Sequence, residues 1–153
     1  MMKKEENNVF KAAVESSSEI STAYKLGLKA LKRSDASKIQ VSDTRKLNGS
    51  VDLDYTLKTL YPDANRWDYV IGYDSKVCFV EVHPAYTSEI TTVAKKYIWL
   101  KKWLKEKASD LNSLPRMMPA FVWIQSGKCA ILPTSKHSKQ LAVIGMPRPM
   151  LKL

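Results

Sequence analysis

Apolar positions recur at two different spacings along this chain, and the switches between them mark its elements. Between Val9 and Arg33, Ile20, Tyr24, Leu28 and Leu31 recur every three to four residues, which predicts a helix. Ser16-Ser17-Ser18 interrupts the pattern, so the best-patterned part runs from about Ser18 to Lys32, ending at Ser34-Asp35. Residues 38–42 (Lys-Ile-Gln-Val-Ser) read as a short strand, and Asn48-Gly49 as a turn. Val51 to Leu60 is ambiguous: 51–55 alternates like a strand, while Leu53, Leu57 and Leu60 fit a helix. Pro62-Asp63-Ala64-Asn65 is a loop. Two strands follow, Trp67–Tyr73 and Lys76–His83, joined as a hairpin at Asp74-Ser75. Pro84, lacking an N–H for the ladder, is expected to end the second.

Thr87 or Ser88 then caps a long helix reaching about Ala108, with a core stripe of Ile90, Val93, Ala94, Tyr97, Leu100 and Leu104. Leu114–Pro119 is a connector. Ala120–Gln125 and Lys128–Leu132 read as a second hairpin around Ser126-Gly127. The order of helix, strands, hairpin, long helix and further strands predicts a mixed α/β (α+β) single domain over residues 1–153. Residues 1–8 are polar and expected to be disordered, and 133–153 form a C-terminal extension with a short apolar run at Leu141–Ile144.

Within the hairpin one pattern stands out. Cys78, Val80 and Val82 make one face of the second strand wholly apolar, and Val77, Phe79, Glu81 and His83 make the other. A carboxylate ending so apolar a strand needs a partner, because burying it alone costs several kcal/mol or forces protonation. Asp68, at the start of the preceding strand, is a second carboxylate on the same hairpin.

Charge changes the picture further. Residues 1–94 carry 13 basic and 13 acidic groups, and residues 95–153 carry 12 basic groups against only Glu106 and Asp110. The whole net charge of +10 therefore sits in the last part of the chain, an asymmetry that favours a polyanionic partner such as nucleic acid. A solvated basic surface is the plainer reading. No apolar run reaches the roughly 20 residues that span a bilayer, and the N-terminus shows no secretory signal. Cys78 and Cys129 fall in predicted strands and read as buried thiols, which suits the cytoplasm.

Asp68, a gap of 12 residues, and then Glu81-Val82-His83 at the end of a hydrophobic strand resembles the PD-(D/E)XK nuclease superfamily, the restriction-endonuclease-like fold. The resemblance implies an αβββαβ core with a central mixed sheet flanked by helices, spanning about Ser18 to Leu132. It implies hydrolysis of phosphodiester bonds in nucleic acid, DNA ahead of RNA, with Mg²⁺ or Mn²⁺ as cofactor. Asp68, Glu81 and the backbone carbonyl of Val82 would hold the metal, which polarises the phosphate and activates water. The catalytic set implied is Asp68, Glu81 and His83.

His83 stands where the family has lysine. A neutral imidazole can serve as a base near pH 7, or favour Mn²⁺, or mark an inactive site. Lys95 and Lys96 of the following helix, and less readily Lys76, are candidates to replace the lysine. Asp63 of Pro62-Asp63 is a weaker acidic candidate, as are Glu15 and Glu19. Asp52 and Asp54 read as solvated or turn-stabilising.

Trp99 and Trp103 lie one turn apart and off the core stripe, flanked by Lys95, Lys96 and Lys102. That is a candidate nucleic-acid platform. Packing under the C-terminal tail, or a homodimer interface, are its rivals. A catalytically silent member of the fold, binding nucleic acid or a protein, is the alternative to the nuclease. A small interaction protein recruiting a partner through the tryptophans is a third reading.

Overall fold

The computed structural model describes residues 8–129, a mixed α/β single domain built on one four-stranded sheet. Strands β1 (Leu47–Asp52), β2 (Tyr69–Tyr73), β3 (Lys76–Ala85) and β4 (Arg116–Cys129) lie in sequence order. β2 is antiparallel to both of its neighbours, β1 and β3, and β4 runs parallel to β3. A parallel neighbour needs a crossover, and helices α4 (Ile90–Lys107) and α5 (Ser109–Ser113) supply it.

The alternation read from β3 sorts the core into two layers. Val77 and Phe79 join Phe10, Trp67, Val93, Tyr97, Leu100 and Phe121 on the side of α1 (Val9–Ser16) and α4. Cys78 and Val80 join Tyr69, Ile71, Val122 and Ile124 on the other side, covered by Leu31 and Ile39. Gly72 of β2 lies under the Phe10 ring, so close that any Cβ would collide with it. This is how α1 seats on the sheet. The β2–β3 hairpin turns at Asp74 (φ 52°) and Ser75 (φ 62°), a pair of left-handed residues as in the tightest hairpins. Asn48 Oδ1 accepts from the Ser75 amide at 2.8 Å.

Several expected elements take another form. The helix over Ser18–Lys32 does not form. A 3₁₀ turn at Ser18–Ile20 is followed by turns, and Lys25 pairs with Ser50 of β1. The apolar residues explain this: Ile20 is buried on one side of the sheet and Leu31 on the other. A straight helix presents one stripe to one layer, whereas this segment passes around the β1 edge, with Gly27 at φ +52°. Helix α1, N-capped by the Asn8 side chain, is the part that forms.

Residues 38–42 are irregular rather than a strand, and Arg33–Ala36 form a short helix, α2. Asn48-Gly49 lies inside β1, at a bulge. The ambiguous stretch after Val51 is both elements in turn: β1 ends at Asp52, whose carboxylate caps α3 (Leu53–Leu57) by accepting from the Tyr55 amide. Pro84 does not end β3, which continues to Ala85. β2 has stopped pairing at Val80, and the β4 register shifts between His83 and Ala85, so the missing N–H falls where the ladder is already irregular. No hairpin turns at Ser126-Gly127, because β4 runs straight through to Cys129. The expected strand end at 130–132, the apolar run at 141–144 and the extension 133–153 lie outside the described residues, as do residues 1–7.

Candidate active site

β2 and β3 pair in register from Tyr73↔Lys76 to Tyr69↔Val80, which places Asp68 opposite Glu81 just beyond the last rung. There the two carboxylates take over from the backbone. The Asp68 amide donates to Glu81 Oε1 at 3.1 Å, and the Val82 amide donates to Asp68 Oδ2 at 3.0 Å. The Asp68 carbonyl accepts from the amides of Leu53 (2.8 Å) and Asp54 (3.3 Å), so the first turn of α3 fixes it from the other side.

Lys96 of α4 closes the arrangement. Its Nζ donates to Glu81 Oε2 and lies 3.8 Å from Asp68 Oδ1. Glu81 is fully buried, while the side chains of Asp68 and Lys96 keep 19% and 15% of their surface. His83 lies on the same face of β3. Its Nδ1 is 3.5 Å from Glu81 Oε2, its Nε2 is 2.7 Å from Glu89 Oε1, and its carbonyl accepts from Trp123 Nε1 at 3.0 Å.

The electrostatics follow from burial and like charge. Desolvation, and then the Glu81 charge, push the Asp68 carboxyl up to about 7, although Lys96 and the Val82 amide pull the other way. Burial alone would lower the Lys96 ammonium, but Glu81 and Asp68 outweigh it and hold it above its usual value. The hydrogen bond to Glu81 raises His83, burial opposes this, and Glu89 adds to the rise. A carboxylate stands at each ring nitrogen, which favours the imidazolium form more than water does and works against the expected neutral base.

The structure brings Asp68, Glu81 and His83 together, and Val82 contributes its amide to Asp68. Lys96 is also in the cluster, and not on an outer nucleic-acid face. Lys95 and Lys102 are exposed on α4. Trp103 is not a displayed stacking platform. It is 3% exposed within the core, and its Nε1 donates to Glu19 Oε1 at 2.9 Å. Trp99 is half-buried and stacks on it with centroids 6.0 Å apart.

The reason lies in the width of the buried face of α4. Trp103 is three residues after Leu100 and Lys96 is three after Val93, so both flank the stripe. Glu19, weighed as a further acidic group, is occupied by Trp103 and by the Tyr61 hydroxyl at 2.7 Å. Lys76 pairs with Asp74 at the far end of the hairpin, and Asp63 is exposed in its loop. Glu89 was not anticipated. It sits in a 3₁₀ turn six residues after His83, a separation that matches neither strand nor helix periodicity.

Among the described residues no three His, Cys, Asp or Glu side chains are grouped to hold a metal by themselves. The donor set nevertheless fits Mg²⁺ or Mn²⁺. Two carboxylates already converge on one cationic atom, and Mg²⁺ is usually held by one or two carboxylates together with waters and substrate phosphates. Among the described residues no helix is long and apolar enough to cross a membrane. Comparisons with protein-family models, curated proteins and solved structures return no match.

Proposed function

We propose that this protein is a metal-dependent phosphodiesterase acting on nucleic acid, similar in plan to the PD-(D/E)XK nucleases, with its lysine supplied by the helix after the motif strand. The observation that carries this reading is the meeting of Asp68, Glu81 and Lys96, from the start of β2, the end of β3 and the middle of α4. The order helix, three strands, helix, strand, with β4 parallel to β3, supports it.

In this reading Asp68 and Glu81 hold Mg²⁺ or Mn²⁺, which when bound supplies Lewis-acid charge to a phosphate oxygen and its attacking water. The carboxylates are pre-positioned by the Asp68 and Val82 amides, so little reorganisation is left for the reaction. Lys96 brings a fixed positive charge to the place where negative charge develops. His83, held between Glu81 and Glu89, orients the end of β3. The buried free Cys78 thiol fits a reducing cytoplasm.

One observation favours the silent alternative. Lys96 is bonded directly to Glu81, so the cluster already neutralises one of its carboxylates. Incubating labelled single- and double-stranded DNA and RNA with Mg²⁺ or Mn²⁺ separates the two. Wild type is expected to cleave, Glu81→Gln and Lys96→Ala to fall at least a hundredfold, and EDTA to abolish cleavage. Wild-type cleavage no greater than that of Glu81→Gln under all conditions overturns the enzyme reading.

A further inference from the structure

A second charged region lies on the far side of α3 and plays no part in the carboxylate cluster. The chain from Thr22 to Ala30 and the outer face of α3 border an open cleft of about 490 Å³, within the size range of pockets that take small ligands. Lys25, Lys29 and Lys58 line it, together with Tyr55, Thr56 and a single carboxylate, Asp52. Its Oδ1 caps α3 by accepting from the Tyr55 amide at 2.9 Å. Among the described residues none of the three lysines has a carboxylate within 4 Å. The walls are held by backbone bonds: Lys25 and Ser50 exchange both amide bonds (3.0 and 2.9 Å), and the Ala30 amide donates to Ser50 Oγ at 3.2 Å.

We propose that this cleft binds the phosphate backbone of single-stranded nucleic acid, with a base stacked on Tyr55. Three ammonium groups in one concave wall, none with a carboxylate within 4 Å among the described residues, are a phosphate-binding arrangement, with Asp52 as the one acidic group on the same wall. Tyr55 is 68% exposed, and the Lys58 ammonium stands 4.9 Å from its ring centroid. With the Lys58 ammonium over one face of it, the exposed ring combines stacking area with charge as unpaired nucleotides use them, whereas a duplex keeps its base faces covered. The cleft and the cluster share α3: Asp52 caps it on the cleft side, and its first amides hold the Asp68 carbonyl. This deepens the proposed function and rests on it for the substrate class, placing the strand-holding surface apart from the proposed chemistry.

Fluorescence anisotropy with a labelled oligothymidylate in EDTA tests binding without cleavage. The variant carrying Lys25→Ala, Lys29→Ala and Lys58→Ala is expected to bind at least tenfold more weakly. Its slope of log affinity against log salt should fall by about 2, as three lost phosphate contacts require for a single strand. Tyr55→Ala is expected to weaken binding several-fold with the slope unchanged, and a duplex of equal length to bind less well than the single strand. Circular dichroism shows whether each variant folds, and Tyr55→Ala tests the cleft independently of the lysines. If the triple variant matches wild type in affinity and slope, the cleft proposal is wrong. Cleavage assays on the same proteins separate the two readings. Loss of binding in the triple variant with no cleavage by wild type keeps the cleft and removes the enzyme. Glu81-dependent cleavage with unchanged binding does the reverse.

Discussion

Two lysine-bearing regions flank α3, and they handle charge in opposite ways. At the end of β3, Lys96 is nearly buried, with Glu81 and Asp68 as partners. In the cleft, Lys25, Lys29 and Lys58 are exposed, and among the described residues none has a carboxylate within 4 Å, although Asp52 lines the same cleft. The first region is part of what holds the fold together, because removing a member takes a partner from groups that are already desolvated. The second contributes little to the fold and leaves its charge available to a partner. A positive charge is therefore informative only with its surroundings: the same residue type is internal wiring in one place and a binding surface in the other.

The largest expected effect tests the buried side. Glu81→Ala takes from Lys96 its hydrogen-bonded partner and from the Asp68 amide its acceptor. It should destabilise the protein by about 3 kcal/mol, the lower end for a broken buried pair, because Asp68 remains beside the ammonium. Urea denaturation measures it, and a loss under 1 kcal/mol would mean that the cluster is far wetter than its burial indicates. Lys96→Met should cost less, about 2 kcal/mol, since Asp68 can take up a proton once the ammonium is gone. It also leaves the carboxylate pair without its internal cation. Mn²⁺ should then raise the melting temperature of Lys96→Met more than that of wild type. Equal shifts would argue that the ion does not bind between these carboxylates.

The pH dependence sharpens the same contrast. Asp68 sits near 7 in the folded protein against an ordinary value of 3.8, so between those values the folded state keeps a proton that the unfolded chain has lost. Its contribution is therefore present at low pH and is lost as pH rises through about 7. His83, also raised, acts in the same direction: its contribution is full below its unfolded value near 6.5 and fades as pH passes its higher folded value. Without metal, stability should decline from about pH 5 to pH 8, and Asp68→Asn should flatten the profile. Affinity for Mn²⁺ should rise over the same range, because the ion displaces the Asp68 proton. A metal affinity flat from pH 5 to 8 would contradict this assignment.

These expectations draw on features that the sequence displayed unevenly. The β2–β3 hairpin, the face shared by Glu81 and His83, and the span of α4 were readable, because period-2 and period-3.6 patterns there are long and uninterrupted. The segment 18–32 misled, since its helical spacing serves two layers on opposite sides of the sheet. Lys96 was a candidate only together with Lys95, as lysines of the helix that follows the motif strand. Its choice over Lys95 depended on the rotation of α4 against β3, which no local pattern encodes. Glu89 was invisible because the chain reverses between it and His83. The cleft escaped notice for a similar reason: Lys25 and Lys29 meet Lys58 only through tertiary folding across the β1 edge.

The smallest expected effect is the one that tests the exposed side. Among the described residues Lys25, Lys29 and Lys58 have no ion pair to lose, and Lys58 contacts an exposed tyrosine ring. Surface substitutions of this kind usually change stability by no more than about 0.5 kcal/mol. Replacing each singly by alanine should therefore leave the urea midpoint nearly unmoved at low salt. If anything the midpoint should rise slightly, because removing one of several neighbouring like charges relieves repulsion, and that gain should vanish as salt screens it. A loss above 1 kcal/mol from any of the three would mean that the lysine has an internal structural role. The two regions would then differ in degree and not in kind, and the case for charge held available to a partner would fall with that difference.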